Sequence, residues 1–195
     1  GKRSGVRRGV RAPRPGELPI VYQDDAIVVV NKPPGLLSVP LPRRHEAPSV
    51  ETLLRAHLRS ARGHRPLVVH RIDRDTSGLV LFALRPDAQA RLKDQFRRHT
   101  AERVYLAVVY GVPVPARGIW VDTLAWDDEE LIQKQTHSRD PRGRPARSHY
   151  RVVEGFGTEA SLVEVSLVTG RRNQIRLQAR LRGHTLVGEQ RYTYC

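Results

Sequence analysis

The regular hydrophobic pattern begins at Leu18. Ile20-Val21-Tyr22 and Ala26-Ile27-Val28-Val29-Val30 are two runs rich in β-branched residues on either side of Asp24-Asp25, which is the pattern of a hairpin. Lys32-Pro33-Pro34-Gly35 ends the second run, because proline lacks the ladder N–H and glycine accepts a positive φ. A polar stretch with Pro40 and Pro42 follows. Val50, Leu53, Leu54 and Leu58 then fall on one face of a helix that Ser49 or Ser60 bounds. Leu79-Val80-Leu81-Phe82-Ala83 reads as a buried strand. Residues 86–98 read as a helix, with Pro86 in its first turn and Ala88, Leu92 and Phe96 repeating every fourth residue. The run 104–110 is apolar on both faces, which predicts a central strand. Further strands are expected at 119–124, 148–153 and 161–167, and a helix over 173–182 that Gly183 closes. Strands arrive in pairs with only two or three helices among them. That favours an α+β fold with a mixed, mainly antiparallel central sheet over a doubly wound one.

Composition narrows the class. The chain has 195 residues, 39% of them apolar, which suits one globular domain over residues 18–195. The first fifteen residues carry Lys2, Arg3, Arg7, Arg8, Arg11 and Arg14 without an acid, so residues 1–17 are expected to form a flexible basic arm. Lys and Arg number 34 against 20 Asp and Glu, a formal charge of +14. Such an excess points to a polyanionic partner, with RNA the first candidate. No run approaches the roughly 18 consecutive apolar residues of a membrane-spanning helix, so no membrane partner is expected and a cytoplasmic location is. Cys195 is the single cysteine, and the eight histidines lack paired ligand spacing, so no metal site is expected. Met is absent, and Gly1 is read as a processed start.

The most informative stretch is His70-Arg71-Ile72-Asp73-Arg74-Asp75-Thr76-Ser77-Gly78. It crowds cationic side chains around Asp73 and then runs directly into the strand at Leu79, the construction of a site loop braced by a sheet. Arg71 and Arg74 would keep Asp73 ionised and attract a polyanion. A loop shaped by structural ion pairs is the competing reading. A second cluster is Thr169-Gly170-Arg171-Arg172-Asn173-Gln174-Ile175-Arg176. If a helix starts near Arg171, two arginines sit at its positive end, a placement that an anion would relieve. Arg172, Arg176 and Arg180 would form a basic stripe, and an ordinary solvated face is the alternative. Residues 137–147 hold Arg139, Arg142, Arg144 and Arg147 in a basic loop expected to be flexible. Tyr105 stands out as an aromatic on a strand that otherwise looks like core.

Taken together these segments resemble the RluA-type RNA pseudouridine synthases. The resemblance runs from about Ile20 to Tyr192. Residues 25–35 look like the family's entry segment ending in N-K-P-x-G, and 70–78 match its H-R-x-D-x-x-T-S-G. Residues 103–111 are similar to its K-x-Y-x-A-x-V-x-G strand, and 169–176 resemble T-G-R-x-H-Q-I-R. Arg103, Asn173 and Glu189 stand where the family's lysine, histidine and aspartate are usual. The resemblance implies the pseudouridine synthase catalytic fold, with a further strand beyond Cys195. It implies isomerisation of uridine in ribosomal or transfer RNA without a cofactor. Asp73 corresponds to the catalytic carboxylate, Tyr105 to the aromatic that stacks on the flipped base, Arg176 to the basic partner of the aspartate, and Arg71 to the arginine that fills the vacated base position. Lys32, Arg74, Arg139, Arg142, Arg144, Arg171 and Arg172 are expected, with Arg71, to contact RNA. A monomer with no obligate protein partner is expected.

Two rivals come from other classes. A non-catalytic RNA-binding or ribosome-assembly scaffold would suit the basic arm, yet has no use for an ionised Asp73 beside arginines. A carboxylate-based nucleoside hydrolase would use Asp73 and Asp75 as its acid pair, but two residues apart on one loop they cannot easily flank opposite sides of a bond.

Overall fold

The structure, a computed structural model, describes residues 17–45, 47–61 and 65–193. The basic arm lies outside the described residues except for Glu17, as does Cys195. The chain divides into two compact units, residues 1–98 and 99–195. Each carries its own antiparallel sheet, giving the α+β class that the pattern predicts.

The first unit contains β1 (Ile20–Gln23), β2 (Ile27–Lys32), α1 (Val50–Ala61), β3 (Leu67–Val68), β4 (Gly78–Ala83) and α2 (Pro86–Arg97). Its sheet has the order β1-β2-β4-β3. The expected hairpin forms because Asp24 folds back on its own turn, its Oδ1 accepting the N–H groups of Ala26 and Ile27 at 2.7 and 2.8 Å. Val28 pairs with Phe82 and Val30 with Val80, and all four side chains are fully buried. Ser49, not Ser60, sets the start of α1: its Oγ accepts the Thr52 N–H while Thr52 Oγ1 accepts the Ser49 N–H, a reciprocal cap. Helix α2 begins on Pro86, whose missing N–H costs nothing in a first turn. Its Ala88, Leu92 and Phe96 pack with Val69 and Ala83, as their spacing predicts.

The second unit contains β5 (Val104–Tyr110), β6 (Arg117–Asp127), β7 (Ile132–Thr136), β8 (Arg144–Phe156), β9 (Ala160–Leu167) and α3 (Gln174–Leu181). Its sheet runs β5-β9-β8-β6-β7. The core holds Ala107, Val109, Trp120, Tyr150, Val163 and Val165 from four strands and Ala179 from α3. A second cluster joins Leu124 and Ala146 to Leu177 and Tyr192.

Several expectations are corrected here. Among the described residues strand β5 lies at the edge of its sheet rather than at its centre: it pairs along its length with β9, and on its other side the Thr185–Val187 backbone bonds to Val108 and Tyr110. Leu106 and Tyr110 are exposed although both are large and apolar, because the period of two puts them on the face opposite the buried Ala107 and Val109. Strand β7 went unpredicted because Ile-Gln-Lys-Gln-Thr is too polar to show alternation, and pairing with β6 supplies what its sequence lacks. The basic loop before β8 is a tight turn. Asp140 accepts Thr136 Oγ1–H at 2.7 Å and the Arg142 N–H at 2.9 Å, and these bonds hold its carboxyl below the usual range.

Candidate active site

The loop carrying Asp73 is fixed through its backbone on both sides of that residue. Ser38 Oγ donates to the Ile72 carbonyl at 2.8 Å and accepts the Ile72 N–H at 3.1 Å. One residue past Asp73, the Arg74 carbonyl accepts Lys32 Nζ–H at 2.7 Å and the Gly35 N–H at 2.8 Å. Gly35 makes that approach at φ 86, where a side chain would be strained. At the loop's start, the Leu81 N–H donates to His70 Nε2 and the His70 ring stacks on Phe96, so His70 serves as an anchor onto β4 and α2. Asp73 itself is half-buried, Arg71 is exposed, and Arg74 lies 3.5 Å from Asp75 with both side chains in solvent.

Lys32 is therefore withdrawn from the RNA-facing set. It is fully buried, because the strand's period of two puts it on the same face as Val28 and Val30. Its ammonium donates to the carbonyls of Pro33, Leu36 and Arg74 at 2.9, 2.8 and 2.7 Å, one acceptor for each proton. Burial pulls it down to about 8, while the charges of Asp75 and Asp73 act in the other direction. Lys32 thus works as an internal clamp that ties the Pro33–Leu36 turn to the Asp73 loop.

In the second unit, Tyr105 is half-buried on β5, opposite Val165. Helix α3 starts later than expected, at Gln174, after Asn173 in the left-handed region at φ 52. Arg171 and Arg172 consequently lie in the preceding turn and not in the helix. Gln174 organises that turn. It is buried, its Oε1 accepts the Arg171 N–H and the Thr169 hydroxyl, and its Nε2 donates to Ser148 Oγ and the Arg147 carbonyl. Four residues on, the buried Gln178 Nε2 donates to Asp122, and its Oε1 accepts Ser148 Oγ–H. Each polar group of the pair has a partner, which makes this network a rigid seat for α3.

Arg176 projects from α3 into a bidentate bond with Glu189, Nε and one terminal nitrogen each 2.7 Å from a carboxylate oxygen. Glu189 is itself fixed by the N–H groups of Gln190, Arg191 and Tyr192, and its side chain is only 3% exposed. The Tyr192 ring lies 5.1 Å below the Arg176 guanidinium. Sequence reasoning noted Glu189 only as a replacement for an aspartate, and the structure gives it the task of aiming Arg176. Burial alone would raise the Glu189 pKa, but the Arg176 bonds and the backbone N–H groups outweigh it and hold the carboxyl at about 2. A folded value below the ordinary carboxylate range stabilises the fold at neutral pH, and that contribution is lost as the pH falls from about 4.5 towards 2. Glu189→Gln should therefore lower the stability of the protein at pH 7 by roughly 3 kcal/mol and flatten its acid unfolding between pH 4.5 and 2. Urea titrations across that range check it, and an unchanged acid profile would remove Glu189 from this role.

The remaining arginines cluster at one end of the second unit. Arg172 sits over the Trp126 ring at 4.0 Å, and Arg171 Nε donates to the Pro145 carbonyl. Arg144 donates to the carbonyls of Pro141 and Gly143, and Arg142 lies 3.6 Å from Asp140. Arg139 is exposed at the tip of the β7–β8 turn.

Comparison with known proteins places the chain in a family. Residues 26–181 match the family model for RNA pseudouridylate synthases, and the chain belongs to that family, whose members isomerise uridine within RNA. It is 38% identical over 175 residues to the dual-specificity RNA pseudouridine synthase RluA of Escherichia coli K12, covering 90% of this chain and 77% of that protein. It is 37% identical over 182 residues to the uncharacterized RNA pseudouridine synthase YlyB of Bacillus subtilis, covering 91% of this chain and 58% of that one. In fold it matches human RNA pseudouridylate synthase domain containing 4, with a TM-score of 0.76 at 23% identity over 90% of this chain and 69% of the other.

Proposed function

We propose that Asp73 is the carboxylate that acts at the ribose of the target uridine, that Tyr105 stacks on the flipped base, that Arg176 is the basic partner of the aspartate, and that Arg71 enters the space the base leaves. The substrate is a uridine of ribosomal or transfer RNA, and the enzyme works as a monomer in the cytoplasm. The reaction breaks N1–C1′, turns the base and joins C5 to C1′, with the C5 proton passing to solvent and N1 taking up a proton in its place. No electrons are gained or lost. A carboxylate serves as nucleophile, base or charge stabiliser only while ionised, and a guanidinium neighbour favours that form. Extruding the base costs a few kcal/mol, which an aromatic platform and an inserted side chain offset.

The observation that carries this reading is the double clamp on the Asp73 loop. A buried lysine and a buried serine fix the peptide groups beside one half-buried carboxylate, which is pre-organisation of a reacting group. The test is release of tritium from RNA labelled at uridine C5. The protein alone should release it, with pseudouridine and no free uracil as product. Free uracil would support the hydrolase instead, and RNA binding without release would support the scaffold. RNA affinity should also fall steeply with salt, as for any protein that displaces counterions from phosphates, and a flat dependence between 50 and 200 mM salt would remove the arginine cluster from the interface.

A further inference from the structure

Trp126, Gln133, Arg142, Arg144, Arg171 and Arg172 line an open cleft of about 370 Å³ in the second unit. Asp128 is the single carboxylate among its lining residues, against four arginines. Arg144 and Arg171 turn their donors to backbone carbonyls, and neither has a carboxylate partner among the described residues. Burial and the charge of Arg144 both pull Arg171 below the usual guanidinium value, so the cleft holds crowded positive charge that an anion would relieve. One wall is aromatic, the half-buried Trp126 with the Arg172 guanidinium across its face. In the cleft's lining, Gln133 is 5% exposed, and its buried amide oxygen has no hydrogen-bond partner among the described residues.

We infer that this cleft seats one unpaired nucleotide of the substrate RNA other than the uridine being isomerised, its base stacked on the Arg172–Trp126 pair and its phosphate held by Arg144 and Arg171. The inference rests on the reading of the chain as an enzyme acting on RNA. A flat ring beside a planar guanidinium accepts any base by stacking, and two cations fixed to the backbone meet a phosphate without first being ordered. A free phosphate has no use for Trp126, and a duplex does not offer a base face. A single-stranded segment flanking the target uses both.

Tryptophan fluorescence reads this directly, because the only other tryptophan, Trp120, is 3% exposed and stacked on Tyr150. Titration of the full chain with an oligouridylate of about eight residues should quench the emission saturably, and Trp126→Phe should abolish the quench. Trp126→Ala should weaken oligouridylate binding about tenfold, and Arg171→Ala should lower the slope of log affinity against log salt by about one. Tripolyphosphate serves as the base-free probe. If it binds as tightly as the oligouridylate and Trp126→Ala binds both like the unaltered protein, the cleft is an anion site and the stacked base is overturned. Tritium release separates the two failures. Release without quenching sinks the cleft and leaves the enzyme, whereas quenching without release sinks the enzyme and leaves a cleft for single-stranded RNA.

Discussion

Asp73→Asn should reduce tritium release by at least about 10³-fold while leaving RNA affinity within about twofold. The amide keeps the size of the carboxylate and can accept a hydrogen bond, but it carries no negative charge and cannot act on the sugar or take a proton. The loop itself should survive the change, since what holds it is backbone: both peptide groups of Ile72 on Ser38, and the Arg74 carbonyl on Lys32 and Gly35. Affinity should survive as well, because phosphate contacts by arginines dominate it. A variant that retains a tenth of the activity would show that the charge at 73 is not needed for the chemistry. A variant that loses activity and affinity in parallel would make Asp73 a structural residue of the RNA-facing loop.

Lys32→Met should destabilise the protein by roughly 2 to 4 kcal/mol, because an apolar side chain of similar length fills the space, takes the donor from the carbonyls of Pro33 and Leu36 and leaves the Arg74 carbonyl with the Gly35 N–H alone. The melting temperature should drop by about 5 to 10 °C. Well below the melt, where the chain remains folded, kcat should still fall by about tenfold to a hundredfold, because the Asp73 loop loses one of the two fastenings on its C-terminal side and keeps only the Gly35 N–H. RNA affinity should change little, since the ammonium never reaches solvent. That pattern separates a clamp from a phosphate contact. Were Lys32 to touch RNA, the substitution would cut affinity and the salt slope while the melting temperature stayed in place.

The two units were unequally legible. Strands β2, β4 and β9 and helices α1 and α2 follow from runs of β-branched residues and from apolar faces of period 3.6, and the turn residues between them carry their own chemistry. The loop before β4 was equally readable as a loop, since its charged residues run directly into the buried strand at Leu79. The misreadings share a cause. Val104 to Tyr110 is apolar at every position, so its pattern could not tell a strand buried on two faces from an edge strand with one face in solvent. Arg171 looked like the first residue of a helix because nothing local shows that Gln174 folds back to accept its N–H. The role of Glu189 depends on a helix thirteen residues away and has no sequence signal beyond its place in the closing segment.

From its sequence the chain determines which residues are available for chemistry and the order in which they come: one acid between arginines, an aromatic on a strand, an arginine on a short helix. Those are local properties, set by residue type and spacing. Only the tertiary structure decides which way each faces. Ile27 to Val30 contains no polar residue to fix which face of β2 is buried, and pairing of Val28 with Phe82 and Val30 with Val80 is what turns Lys32 inward. The same holds for Arg176, whose direction is set by a carboxylate brought to it by the fold. Long-range pairing settles such choices because the free energy that discriminates them, burial on one face against exposure on the other, does not exist until the partner strand or segment is in place.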